Sequence, residues 1–350
     1  MTPTAIPPLR LRHQLIQGSQ ARTPLEVVHT LGAMQGQDYP SLLWAIGLRL
    51  SGSTRADIEA AFADQTIVRS WPMRGTLHAV AGSDLRWMLA LLAPRRLANT
   101  ARRDTQLGLD AATYTRARTV LEQALDGTQL TRGEVMQTLD GAGIATTGQR
   151  GYHILCHLAQ QGTICFGPVA GKQQTFVLLD QWLPPSPSLS REEGLTELVR
   201  RYFTGHGPAT EVDFVHWSGL TLSDTRRGLA LAAGQLRKID IDGQLHWMAA
   251  AATPHPPSPS AFLLPGFDEY LLGYKVRDVV LDPAHAGKVV PGGNGVFKPL
   301  MVLDGRVVGT WRKTVKRGAV QIDLEPFETL GAEGAGRFEE QIARYQTFAG

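Results

Sequence analysis

Early in the 350-residue chain, the run Met34-Gln35-Gly36-Gln37-Asp38-Tyr39-Pro40 places polar groups between two apolar stretches. Gln35 and Gln37 cannot share a helix face, but on an extended or turning backbone side chains two apart point the same way. Gly36 between them permits a turn. Two converging amides offer donors and acceptors without net charge, which suits the holding of one water molecule. Asp38 adds a carboxylate able to activate that water or to stabilise a neighbouring cation. The competing assignment is a turn or capping cluster after the preceding helix, with Asp38 as a helix cap or an arginine's partner.

Further candidates lie downstream. Arg74, Thr76 and His78 alternate, so on a strand they line one face, where a guanidinium would match phosphate in a fork geometry. A salt bridge for Arg74 and a structural hydrogen bond for His78 compete with that assignment. Trp311, Arg312, Lys313, Lys316 and Arg317 form the densest basic run. On a hairpin this run could follow a nucleic-acid backbone while Trp311 or Val315 lies against a groove. Lysines on an exposed hairpin also block edge-to-edge aggregation. Arg95, Arg96, Arg102 and Arg103 read as a solvated helix face. Asp268 and Glu269, taken on one strand, point to opposite faces, which argues against a shared proton or metal and for a structural or loop-ordering role. The histidines lack metal-ligand spacing, and Cys156 and Cys165 read as small buried hydrophobes. No metal and no cofactor are expected.

The elements that must position these residues are legible through caps and periods. Thr23-Pro24 with Glu26 and Thr131 with Glu134 have the form of capping boxes, as does Ser190 with Glu193. Ala117, Val120, Leu121 and Ala124 have helical spacing, and Tyr152, Leu155, Cys156 and Ala159 mark another helix. Strand-like runs at 163–166 and 175–179 follow, so helices and hairpin stand in the order of a winged helix. The same order returns after the prolines at 184, 185 and 187, ending in a hairpin around Asp242-Gly243. The first hundred residues fit this plan more loosely, with strands expected over 67–80. Residues 253–260 read as a linker. Beyond it, runs at 262–265, 288–290, 300–303, 306–311 and 319–322 predict a β-rich domain closed by a helix from about 332 to 348. The expected fold is α+β, with three tandem winged-helix units over 1–105, 106–185 and 186–252 and a barrel-like C-terminal domain over 261–350.

Three segments carry a family resemblance. They are GlnGlyGlnAspTyrPro with the following LeuTrpAlaIleGlyLeuArg, SerTrpProMetArgGlyThrLeuHis at 70–78, and LeuLeuProGlyPheAspGluTyrLeuLeuGlyTyr at 263–274 with GlyThrTrp at 309–311. Together they resemble the AlkZ/YcaQ family of winged-helix DNA glycosylases, nearly across the chain and in the right order. The glutamine–x–glutamine form is similar to the AlkZ-like branch; the YcaQ branch carries glutamine–x–aspartate. The resemblance implies a C-shaped body of tandem winged helices, a β-domain set against DNA, and Gln35 and Gln37 as the catalytic pair.

The residue types suit that chemistry. Alkylation at N7 or N3 makes a purine cationic and weakens its glycosidic bond, so no strong acid is needed. What remains is to place a water and stabilise an oxocarbenium-like sugar. The first of seven lysines is Lys172, against 28 arginines, which makes a Schiff-base step hard to place near the glutamines. The expected enzyme is a monofunctional, water-using glycosylase for alkylated purines in double-stranded DNA, with bulky adducts or interstrand crosslinks as further substrates. It is expected to be monomeric, cytoplasmic and without a membrane span. The net charge is only +3, yet twelve arginines against seven acids precede Thr105, so the basic surplus lies with the glutamine motif. A non-catalytic winged-helix regulator or an interaction scaffold is the alternative, although the third helix of each later unit lacks the basic character of a base-reading helix.

Overall fold

The computed structural model describes residues 2–251, 259–316 and 319–350. Most of the linker expected at 253–260, and Arg317, lie outside them. The chain opens with α1 (Ile6–His13), α2 (Pro24–Leu31), the two-residue strand β1 (Met34–Gln35), α3 (Tyr39–Gly47) and α4 (Arg55–Ala63), then a hairpin of β2 (Ile67–Met73) and β3 (Thr76–Ala81). Next come α5 (Leu85–Ala98), α6 (Ala101–Gln106), α7 (Ala111–Ala124), β4 (Leu130–Thr131), α8 (Arg132–Gly141), α9 (Arg150–Gln160), β5 (Ile164–Phe166), β6 (Thr175–Leu178) and α10 (Leu179–Trp182). Three helices, α11 (Arg191–His206), α12 (Glu211–Ser218) and α13 (Leu222–Leu231), precede β7 (Leu236–Ile241) and β8 (Gln244–Ala249). The last stretch holds β9 (Ala261–Leu264), α14 (Glu269–Leu272), α15 (Ala286–Val289), β10 (Leu300–Leu303), β11 (Arg306–Lys316), β12 (Ala319–Pro326) and α16 (Ala332–Ala349).

Side-chain caps start many of these helices. The Thr131 hydroxyl accepts the Glu134 N–H while the Glu134 carboxylate accepts the Thr131 N–H, satisfying two orphan donors at once. Ser190 and Glu193 do the same for α11, and Thr210 with Asp213 and Thr221 with Asp224 repeat it for α12 and α13. At α2 the expected box is incomplete: Thr23 caps Glu26, but the Glu26 carboxylate reaches back to the N–H of Arg22 instead.

Packing gathers the chain into two compact units, one made of residues 1–59 and 195–350, the other of 60–194. In the first, β12-β11-β10-β9 form an antiparallel sheet in that order. This sheet is open, with β12 and β9 at its edges, so the barrel-like closure expected from sequence is not formed among the described residues. α16 covers it: Trp44 of α3 meets Tyr345 edge-on at 5.0 Å and Phe348 at 5.0 Å. Gly47 lets α3 come so close, since a Cβ there would stand 2.3 Å from the Phe348 ring. Residues 288–290, read as a strand, instead end α15 and leave it, with Val289 buried. A second apolar centre surrounds the buried Tyr202, which contacts Phe203, Phe214 and Trp217.

In the second unit, α7, α8 and α9 pack on a three-stranded sheet ordered β4-β6-β5. Its core includes Leu121, Val135, Ile154 and Phe176, joined by Trp71 from β2. Cys156 and Cys165 are buried free thiols, pushed up to about 12 by burial, as expected of inert core cysteines. No helix among the described residues is long and apolar enough to cross a membrane.

Candidate active site and nucleic-acid interface

The glutamine motif sits between β1 and α3. Gln35 is half-buried at the end of β1, while Gln37 and Asp38 are exposed on the turn that follows. Asp38 caps α3, its carboxylate accepting the Ser41 N–H at 3.0 Å, with Pro40 in the first turn where no N–H is needed. The capping role weighed from sequence is therefore real, and it leaves the carboxylate at the surface. Gln35 Oε1 is buried and accepts no hydrogen bond among the described residues. Leaving a buried carbonyl unsatisfied costs about 1–3 kcal/mol. Gln37 has no side-chain partner among the described residues either.

Under the motif lies a polar assembly that sequence reading missed. The backbone N–H of Gln35 donates to Glu269 Oε1 at 2.9 Å, and Trp217 Nε1 donates to Glu269 Oε2 at 3.1 Å. His206 Nε2 stands 3.5 Å from the same Oε2. The neighbouring Asp268 takes both terminal nitrogens of Arg49 at 2.9 Å each, with both side chains 0% exposed. Arg49 also donates to the carbonyls of Gln14 and Ala45. The two acids are not on a strand: Asp268 caps α14 through the Tyr270 N–H, and Glu269 begins that helix. A usable signal was present in Arg49 itself, which ends an apolar helical run and so demands a buried anion.

The basic run divides. Trp311 is only 4% exposed, its indole N–H donating to the Leu264 carbonyl and its ring meeting Tyr345 at 5.0 Å. That burial removes it as a residue lying in a groove; on this strand the exposed apolar side chain is Val315, at 63%. Arg312 is exposed but engages Asp323 at 3.2 Å and Glu325 at 3.6 Å across the β11–β12 hairpin. Lys313 is exposed, with Nζ 5.9 Å from the Tyr345 ring centre. Lys316 ends β11, and its side chain, like all of Arg317, is outside the described residues. Asp38, Ser41, Trp311, Arg312 and Lys313 border one cleft of about 350 Å³, floored by Trp44 and Tyr345. The fold thus joins Asp38 to a lysine far along the chain, and sequence distance alone does not keep amines from this site.

In the other unit, Arg74 and Gly75 are the two turn residues of the β2–β3 hairpin, with φ of +55° and +73°. Arg74 is therefore not on the strand, contrary to the alternation argument. Thr76 begins β3, half-buried. His78 is 0% exposed, with Nδ1 2.9 Å from the Thr76 carbonyl and Nε2 3.3 Å from Arg74 Nη2. The ring is thus held inside the hairpin and against Arg74, which favours the structural assignment weighed from sequence over a direct DNA contact.

Known proteins resemble this chain along nearly its whole length. The family described as DNA glycosylase AlkZ-like matches residues 28–348. An interstrand DNA cross-link repair glycosylase from Streptomyces sahachiroi is 29% identical over 366 residues, covering 96% of this chain and 94% of that one. The solved Streptomyces sahachiroi DNA glycosylase AlkZ superposes with a TM-score of 0.82 at 25% identity, over 100% of this chain and 98% of its own. These matches set aside the non-catalytic alternative. The chain belongs to the AlkZ-like DNA glycosylase family and is a DNA glycosylase.

Proposed function

We propose that this glycosylase is monofunctional and hydrolyses the N-glycosidic bond of alkylated, cationic purines in double-stranded DNA, using a water held by Gln35 and Gln37. The observation that carries the reading is the buried, unpaired Oε1 of Gln35, an acceptor aimed at no protein donor beside an exposed second amide. A cationic base leaves without a strong acid, and neutral amides can orient water without being protonated themselves. Asp38, exposed at the head of α3, supplies negative charge near the developing sugar cation. The relative's cross-link repair suggests bulky or crosslinked adducts as substrates here too, and an exposed motif suits a base that cannot be fully extruded. Lys313 borders the cleft but is exposed, whereas amines that act as nucleophiles are typically desolvated.

Arg74, Thr76, Lys313, Lys316 and Arg317 are proposed to meet the DNA backbone, with Arg312 less available because of its acidic partners. The order α7-β4-α8-α9-β5-β6 supports a winged-helix unit within 106–185, and α11 to β8 supports another within 186–252. The first unit (1–105) and the β-rich domain (261–350) complete the proposed division, in a monomer.

Duplex DNA carrying N7-methylguanine tests the reading. Wild type should release free methylated base, and Gln35→Ala and Gln37→Ala should each lower the single-turnover rate on the order of 100-fold. Borohydride should trap no covalent adduct. Wild-type rates in both variants would sink the assignment of the pair, and a trapped adduct lost in Lys313→Ala would overturn the monofunctional reading.

A further inference from the structure

Glu269 is 1% exposed, yet it belongs to neither the exposed motif nor the basic strand. A buried carboxylate is a weak device for stability, because desolvation cancels most of what its partners return. Its position is specific: one oxygen holds the peptide N–H of Gln35, the other holds the indole N–H of the fully buried Trp217. The carboxylate is itself fixed from behind, since Asp268, one residue earlier, is clamped by Arg49 two residues past the end of α3. Both ends of the segment 35–49 are therefore tied to the same turn, at Gln35 and at Arg49.

We infer that Glu269 is a positioning residue for the reaction, acting through Gln35. This rests on the reading of Gln35 as the holder of the attacking water. A charged acceptor gives a stronger and shorter bond to a backbone N–H than a neutral one, so it fixes the Gln35 peptide and with it the direction of the side-chain amide. Position 269 must accept on both oxygens, because Gln35 and Trp217 each present an N–H donor, and the His206 ring nitrogen stands 3.5 Å from the oxygen that faces Trp217. Glutamine has the same shape but brings one acceptor and one NH2. In Glu269→Gln, either Gln35 or Trp217 then faces a donor. Removing the competing donor with Trp217→Phe lets the amide oxygen return to Gln35.

The test uses the full-length protein and the N7-methylguanine duplex, with three readouts: single-turnover rate with protein in excess, Kd for the same duplex, and melting temperature. Glu269→Gln is expected to lower the rate about 10- to 100-fold with unchanged Kd, and adding Trp217→Phe should restore much of that loss. If Glu269→Gln does not fold, Glu269→Asp keeps the charge but withdraws the oxygens by one methylene, and the same drop in rate at constant Kd is expected. A variant that melts earlier but cleaves at the wild-type rate per folded molecule overturns the inference, as does a rate that Trp217→Phe fails to raise. Gln35→Ala separates the two levels. If it is inactive while Glu269→Gln is fully active, this inference alone falls; if it cleaves normally, the reading of the motif falls first.

Discussion

Two adjacent acids, Asp268 and Glu269, do separate jobs because each faces a different kind of donor. Glu269 takes two neutral N–H groups, whereas Asp268 neutralises a guanidinium that has no water to turn to. Asp268→Asn keeps the shape but leaves Arg49 charged and uncompensated in the interior. The expected loss is about 3–5 kcal/mol of stability, read as a lower urea midpoint; a midpoint like that of wild type would mean Arg49 finds another anion. Local chemistry made part of this site readable in sequence. Asp38 followed by Tyr39-Pro40-Ser41 has the pattern of a cap, and it caps. The contact between Gln35 and Glu269 spans 234 positions, and no local pattern encodes a partner so far away. The burial of Trp311 was hidden for the same reason: an aromatic beside basic residues looks like a surface contact until Tyr345 and the Leu264 carbonyl are placed around it.

At the scale of elements, the β11–β12 hairpin sorts its own cations. Arg312 pairs in register with Asp323 and also reaches Glu325, while no acid neutralises Lys313 among the described residues. Each phosphate neutralised by a cation contributes about −0.9 to the slope of log K against log salt. Lys313→Ala should therefore reduce the steepness of DNA binding by nearly that amount, and Arg312→Ala by less, because its acids already compete with phosphate. Equal changes for the two would show that the ion pairs open on DNA; no change for Lys313→Ala would take this strand off the DNA surface. The elements were readable where their signals are short-range. Thr131 with Glu134 and Ser190 with Glu193 cap as their types require, and Asp242-Gly243 adopts the positive φ values that a two-residue hairpin turn needs. Reading failed where β-branched residues serve a helix end. Val289 and Val290 look like a strand, but Val289 is buried at the end of α15, and its carbonyl accepts the N–H of Lys298, which lies outside any strand. Sheet closure failed for a related reason: short β runs announce strands without fixing whether the first and last ones meet.

For the whole molecule, both units carry histidines that burial makes harder to protonate. Desolvation lowers His13 and His246 in one unit and His153 and His157 in the other. In the unfolded chain these groups take up protons near their ordinary value of about 6.5, while the folded state resists. Between that value and the depressed folded ones, the unfolded chain binds more protons, so stability is complete above about pH 7 and falls as pH drops below about 6.5. A second loss belongs to lower pH. Burial acts against the ionised form of Glu197, but hydrogen bonds from Arg200 and Arg201 hold it down to about 2. Its contribution is present above its usual value near 4.5 and fades only as pH falls toward 2. The melting temperature should therefore decline in two stages, the first setting in as pH falls below about 6.5. His157→Phe tests the assignment of that first stage. The His157 ring stacks on Tyr114 with centres 3.6 Å apart, and its buried Nδ1 has no partner among the described residues, so phenylalanine keeps the stacking without a lost hydrogen bond there. The variant should be shallower in the upper stage and parallel to wild type in the lower one. A wild-type melting temperature flat across the upper stage would contradict the histidine account outright.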